Sequence, residues 1–280
     1  MKLVTWNLQW GRGIDGRVDL ARIVKTARSI ADFDVFCVQE VADNFPALEG
    51  NDDRDQFSEL ASLLPGYSVV AAPAVDVAAE RNRRRRFGVA IYTRLPVISS
   101  RAHALPWPAD PKVKSMPRTA AEATLATPGG AIRVTTTHLE YYSEVQRNAQ
   151  ATRLRELNDE ASDRTARPGA QTREGGPFDM TVQTKSAILT GDFNCKTDSL
   201  AYAQIQRGAF PYRDAWTIAH GSAPHVPTFC VHDSSYSKDP YCCDFIFVTD
   251  ELAPRVREVS VDSITQDSDH QPVYIEIGDS

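Results

Sequence analysis

The chain has 280 residues, 42% of them hydrophobic, and a formal net charge of −6. That is enough apolar material for one large layered core. The acidic balance excludes a global basic field of the kind that holds nucleic acid, so such binding is disfavoured unless local. Five cysteines, Cys37, Cys195, Cys230, Cys242 and Cys243, show no metal-finger spacing, and adjacent Cys242 and Cys243 are poorly placed to bridge each other. They read as reduced thiols, and a cytoplasmic location is expected. The opening MKLVTWNLQW enters a strand directly, without an apolar run of signal-peptide or membrane-span length, so no membrane insertion is expected.

Residues 2–8 carry Leu3 and Val4 and read as a strand that delivers Asn7 near its end. An Asn there competes for backbone hydrogen bonds and therefore calls for a role. After a turn at 11–16, residues 18–31 place Leu20, Ile23, Val24, Ala27 and Ile30 at helical period. Residues 34–38, DVFCV, then read as a buried strand ending on Gln39 and Glu40, which sets an acid near Asn7 if the two strands are neighbours. A second helix is expected at 56–64 and a strand at 67–71. The run ERNRRRR at 80–86 reads first as a solvated loop tip. Its alternative role is a phosphate-contacting arm, because guanidinium groups match phosphate oxygens bidentately. Strands follow at 87–92, 97–100 and 119–126, with Arg118 placed to enter the same cleft.

Residues 131–139, AIRVTTTHL, alternate as a half-buried strand does and end on His138. Tyr141 and Tyr142 follow, then a helical pattern at 144–161 through Val145, Ala149, Leu154 and Leu157. Residues 164–180, rich in Gly, Pro, Thr and Arg, predict a mobile surface loop within a single domain spanning 1–280, able to overhang a cleft. AILTGDFN, residues 187–194, is a short buried strand bounded by Gly191, and Asp192 and Asn194 would project to one side of extended backbone. Taken alone, Asp-Phe-Asn would read as an Asx turn closing the strand. Trp216 and Phe229 read as core. CDFIFV, residues 243–248, embeds Asp244 in a strand, where an unpaired carboxylate is costly and so needs a partner. An edge strand at 255–263 precedes SDHQPV, which sets Asp269 and His270 before a final strand at 273–277. Many strands with a few good helices favour an α/β arrangement of two packed sheets with helices outside.

The strand-end residues collect as Asn7, Glu40, His138, Asp192, Asn194, Asp244, Asp269 and His270. This oxygen-rich set suits a hard cation such as Mg²⁺, whose octahedron carboxylates, waters and substrate phosphate oxygens complete. Zinc would want a compact set of His or Cys. A buried Asp bonded to an imidazole suits general-base chemistry on a phosphate ester, with Asp244 and His270 as the pair.

The ordered series TWN, VQE, THL, GDFN, CDFIFV and SDHQPV, running from Leu3 to about Ile277, resembles the endonuclease/exonuclease/phosphatase superfamily. The resemblance implies a four-layered α/β sandwich of two mainly antiparallel sheets between helices, with the site at one end. It places Asn7, Glu40 and Asp269 at a Mg²⁺ that Mn²⁺ could replace, and Asp192 and Asn194 at the water and phosphate. It makes His270 the base paired with Asp244, and has His138 bind or polarise the phosphate or assist the leaving oxygen. Arg118, Tyr141 and Arg86 are the expected substrate contacts. Two departures bear on those contacts: Cys243 precedes the strand acid where Arg is frequent, and Val89 stands where the family often has Asn. The expected activity is Mg²⁺-dependent hydrolysis of a phosphodiester, nuclease-like in chemistry, by a monomer. The alternatives are a phosphomonoesterase on a sugar or inositol phosphate, a sphingomyelinase-like enzyme, and a non-catalytic phosphate binder.

Overall fold

The computed structural model describes residues 1–170, 172–179 and 181–279, and of Arg81 the backbone alone. In chain order the elements are β1 (Lys2–Asn7), α1 (Leu20–Ile30), β2 (Val35–Asp43), α2 (Gln56–Leu63), β3 (Ser68–Ala78), β4 (Arg84–Thr93), β5 (Val97–Ala104), β6 (Thr119–Thr127) and β7 (Gly130–His138). They continue with α3 (Glu144–Ala166), β8 (Ala187–Asp192), α4 (Leu200–Ile205), β9 (Tyr212–Asp214), α5 (Ala215–His220), β10 (Asp244–Thr249), β11 (Val256–Val261) and β12 (Val273–Ile277). Two six-stranded sheets result, ordered β11-β12-β1-β2-β4-β3 and β5-β6-β7-β8-β10-β9. Each is antiparallel except for one parallel pair, β1 with β2 and β7 with β8. Each parallel pair needs a crossover, and helices supply both, α1 for the first and α3 for the second.

Side-chain alternation on buried strands creates the layers. Leu3, Val35, Cys37 and Ile91 of the first sheet pack against Val134, Ile188, Ile246 and Val248 of the second. The opposite face of the first sheet, with Val4, Trp6, Phe36 and Val38, receives Ile23 and Val24 of α1 and Phe57 and Leu60 of α2. Leu189, Phe245 and Phe247 on the outer face of the second sheet meet Leu154 of α3 and Ala201 and Ile205 of α4. The order is helix, sheet, sheet, helix, the four-layered α/β sandwich the motifs imply. Truncating Trp6, fully buried, should cost about 3–5 kcal/mol through lost transfer energy and a cavity.

Helix α1 forms where its period predicts: Asp19 accepts from the Arg22 N–H as N-cap, and Leu20, Ile23, Val24 and Ala27 are the buried stripe. Helix α3 differs from expectation. It runs on to Ala166, and its buried face is Gln146, Gln150, Leu154, Asn158 and Ser162, while Val145 is exposed. The reason is what it covers. Gln146 Nε2 donates to the Pro108 carbonyl, Gln150 Nε2 to the Pro106 carbonyl, and Asn158 Nδ2 to the Phe210 carbonyl. The helix satisfies loop backbone that would otherwise be buried unpaired, so its inner face is polar.

The first part of the basic run is the tip between β3 and β4, and the rest, Arg84 to Arg86, lies in β4. A single 3₁₀ turn at Glu80–Asn82 leads into β4, and the arginines pair along the β3–β4 ribbon, Arg83 with Asp53, Arg84 with Asp76, and Arg86 with Asp43 and Asp55. The Arg81 part of the run lies outside the described side chains. Residues 164–166, expected to open the loop, are the last turn of α3; Gln171 and Met180 of that loop lie outside the described residues.

Candidate active site

Both parallel pairs point their C-terminal ends to one side of the sandwich, and the polar strand-end residues meet there. In the second sheet the β7–β8 ladder stays in register to its end, with Thr137 opposite Gly191 and His138 opposite Asp192. Gly191 makes this possible: at φ +138° a Cβ would collide with the Thr137 carbonyl oxygen. His138 Nε2 lies 3.4 Å from Asp192 Oδ2. Antiparallel β10 brings Asp244 opposite Asp192 from the other side.

Just beyond β8 the chain leaves extended geometry, so strand alternation does not place Asn194. It has φ +48°, its backbone N–H donates to Asp192 Oδ1 at 2.8 Å, and its side-chain Nδ2 donates to the Leu139 carbonyl at 2.9 Å. The Asx turn and the site residue are the same feature.

In the first sheet the register breaks between Val38 and Val41. At that bulge Glu40 takes φ +60°, which turns its side chain from the ladder toward the cleft. Asn7 Nδ2 bridges the two sheets, donating to Glu40 Oε1 at 3.2 Å and to Asp192 Oδ2 at 3.0 Å. Gln9, also left-handed at φ +46°, donates its side-chain N–H to Asp269 Oδ2 at 2.9 Å. The Gln9 backbone N–H donates to Asn7 Oδ1, while its own Oε1 is buried without a partner.

His270 is held on several sides. Its Nδ1 lies 2.9 Å from Asp244 Oδ2, which also accepts from the Thr228 hydroxyl at 2.6 Å. The ring stacks on Phe229, centroids 4.4 Å apart, and Nε2 faces Asp192 Oδ2 at 3.7 Å. Thus Asp244 has the partner its burial demands, and Phe229, expected as core, forms the back of the imidazole.

The electrostatics follow from burial. Glu40 is pushed above the usual carboxylate range by desolvation and by the charge of Asp269, and Asp269 is raised as well, first by burial. Burial opposes the charge of His270, but Asp244 and Asp192 outweigh it and hold its pKa well above the ordinary value. His138 goes the other way: burial and the Arg118 guanidinium bring it down to about 3, so it is neutral.

A divalent cation fits the Glu40–Asp269 end. Two carboxylates raised by burial there gain from positive charge, the donors are oxygens, and the orphaned Gln9 Oε1 adds another. Asp192, Cys243 and His270 form a second group able to hold a metal ion, with ligand atoms within 4.8 Å of one another. It is a poorer match for a hard ion: burial pushes the Cys243 thiol well above its ordinary value, and His270 Nδ1 already faces Asp244.

The cleft measures about 570 Å³. Arg118 and Tyr141 line it as expected, Arg118 with Nε on Glu140 Oε2 at 3.1 Å and Nη1 buried without a partner. Arg86 does not line it; its guanidinium is committed to Asp43 and Asp55. No described residue of the 164–180 loop lines it either, so the expected overhang is absent among the described residues. Gln9, Thr228 and Glu140 escaped the sequence reading. For Gln9 the signal was a polar residue two positions after Asn7; Thr228 and Glu140 carried none.

Among the described residues no helix is long and apolar enough to cross a membrane. No curated protein matches the chain. Solved structures share its fold. An endonuclease/exonuclease/phosphatase from Beutenbergia cavernae is 22% identical with a TM-score of 0.67, over 99% of this chain and 72% of that one. The mannosyl-6-phosphatase of Bacteroides thetaiotaomicron is 19% identical with a TM-score of 0.68, over 99% of both chains. The human Nocturnin catalytic domain is 18% identical with a TM-score of 0.62, over 98% of this chain and 92% of that one. A family model matches residues 4–270, a span that includes all eight strand-end residues gathered at the cleft, and the chain therefore belongs to the Endonuclease/Exonuclease/phosphatase family of phosphoesterases.

Proposed function

We propose that the protein is a divalent-metal-dependent hydrolase of phosphodiesters in which His270 activates the attacking water. The observation that carries this reading is the buried His270–Asp244 pair, whose Nε2 faces Asp192 Oδ2 at 3.7 Å in the cleft. Asp244 Oδ2 accepts from Nδ1, fixing the tautomer in which Nε2 is the base. In its neutral form His270 takes the proton from water as its oxygen attacks phosphorus, and Asp244, which favours the charged ring, stabilises the imidazolium that forms. Asp192, ordered by Asn7 and the Asn194 backbone, orients that water. Neutral His138 offers a hydrogen bond to a phosphoryl oxygen without introducing a buried charge. Glu40 and Asp269 would hold Mg²⁺ or Mn²⁺, which when bound supplies positive charge that offsets the carboxylates and the charge developing on the phosphoryl group. Asn7, expected at the metal, turns its Nδ2 to Glu40 and its Oδ1 to the Gln9 N–H, and so orients the ligand rather than serving as one.

A monoester reading has one specific observation behind it, the partnerless Nη1 of Arg118, which would suit the extra charge of a terminal phosphate. The structural likeness to a mannosyl-6-phosphatase points the same way. A nuclease is supported less, because Arg83, Arg84 and Arg86 are neutralised by aspartates away from the cleft. The test is hydrolysis of bis-p-nitrophenyl phosphate and p-nitrophenyl phosphate side by side with Mg²⁺, Mn²⁺ or EDTA. Metal-dependent cleavage of the diester, reduced about a thousandfold or more in His270→Ala, is expected. Preference for the monoester would transfer the assignment to a phosphatase, and metal-independent turnover would contradict the site.

A further inference from the structure

Beyond its acidic base, the cleft is walled by aromatic rings from both sheets. Phe45, which follows β2, and Phe87 of β4 meet edge to face at 6.1 Å on the first sheet's side. Tyr141 and Tyr142, which follow β7, meet edge to face at 4.8 Å on the second sheet's side. Trp10, Phe229 and Tyr236 also line the cleft. Three of the large hydrophobic residues on or beside this mouth stay exposed: Tyr142 at 46%, Tyr236 at 56% and Trp107, whose Nε1 donates to cleft-lining Ser115, at 53%. Exposed aromatics around a cleft lose water only when a ligand covers them.

Cations are scarce there. Among the described residues that line the cleft, Lys and Arg are represented by Lys114 and Arg118. Arg118 is buried against Glu140, and Lys114 lies over the Tyr142 ring at 4.7 Å. A substrate with a second or third phosphate, or a polyanionic strand, would leave its extra charges facing carbon. A free hexose would meet few polar partners on these walls.

We propose that the substrate carries one phosphate group joined to a flat, apolar or aromatic moiety, which is clasped between the Phe45–Phe87 wall and the Tyr141–Tyr142 wall. This assignment deepens the phosphoesterase reading and rests on it. Binding is driven by desolvation of facing rings and by ring–ring contact, while the phosphate is held at the acidic base. Lys114 steers the anion from the rim.

The test is calorimetric binding of two non-hydrolysable probes, (1-naphthylmethyl)phosphonic acid and methylphosphonic acid, to the full chain in Mg²⁺. Naphthylmethylphosphonate is expected to bind about tenfold or more tightly. Tyr142→Ala and Phe45→Leu should each reduce the ratio of the two affinities by about fivefold, and Phe178→Ala, an exposed ring outside the cleft, should not. Tyr142 is at the surface, and Phe45→Leu conserves apolar bulk, so folding is retained. Equal affinities, or unchanged ratios in both cleft variants, would overturn the assignment. So would tighter binding of fructose 1,6-bisphosphate than of naphthylmethylphosphonate. If bis-p-nitrophenyl phosphate is hydrolysed while the affinities are equal, the aromatic clasp alone is wrong. If no phosphate ester is hydrolysed and neither phosphonate binds, the phosphoesterase reading falls and the clasp with it.

Discussion

The two parallel strand pairs reach the same cleft by different means. In β7 and β8 the ladder stays regular to its last residues, and His138 and Asp192 are delivered by register, with Gly191 permitting the close approach. In the other pair the β1–β2 ladder runs unbroken to Asn7 and Gln39 while the β2–β4 ladder breaks, and Glu40 and Gln9 arrive on left-handed backbone just past the paired residues. On the proposed mechanism the regular half carries Asp192, which orients water, and the strained half carries Glu40, which would ligate a cation. Strain of this kind persists only where surrounding structure enforces it, which is why it collects at sites.

The largest expected effects separate these roles. Asp192→Asn should lower kcat about a thousandfold at any Mg²⁺ concentration, because it disrupts the acceptor that Asn7 and His138 face. Glu40→Gln should lose as much at low Mg²⁺ and recover in part as Mg²⁺ is raised. Steady-state kinetics against metal concentration would show the split, and identical metal responses would erase the distinction between the halves.

Stability should divide in the opposite sense. Gly191→Ala places a Cβ against the Thr137 carbonyl and should cost about 3–5 kcal/mol. Glu40→Gly removes a left-handed non-glycine residue and a buried like charge beside Asp269, and should raise thermal stability by about 1 kcal/mol while abolishing activity. Thermal unfolding of both variants checks this. A destabilised Glu40→Gly would mean that its backbone is not strained.

A smaller effect lies at the start of the β7–β8 ladder. Arg133, paired there with Ala187, lies 3.5 Å from Glu122. Burial works to raise the Glu122 carboxyl, but the hydrogen bond from His103 and the charge of Arg133 outweigh it and hold it below its ordinary 4.5. A folded pKa below the unfolded one contributes stability above about pH 4.5 that is lost as pH falls through the folded value. Arg133→Met should therefore move the acid-unfolding midpoint to higher pH in a circular dichroism titration. An unmoved midpoint would show that this pair does not couple to folding.

The same contrast explains what the sequence disclosed. The layers, α1 and the strand-end polar residues were legible because buried strands and an amphipathic helix write their periods directly into residue order. Helix α3 was legible as a helix but not in its orientation, since its inward face is Gln146, Gln150 and Asn158 serving loop carbonyls. Arg86 was misread because side-chain type shows available charge but not the aspartates that consume it. Thr228 was invisible for a different reason: a threonine in an irregular stretch becomes the Asp244 partner only through tertiary folding. Asn194 was found by composition and motif, yet its placement by an Asx turn follows from a left-handed φ that extended-strand reasoning does not supply.

The most direct test of this division is Mn²⁺ binding followed by electron paramagnetic resonance in wild type, Glu40→Gln and Cys243→Ala. We predict one site whose affinity falls at least tenfold in Glu40→Gln and is unchanged in Cys243→Ala. Binding that survives Glu40→Gln and is lost in Cys243→Ala would place the ion at Asp192, Cys243 and His270 instead, and would contradict the assignment of the strained half to the metal.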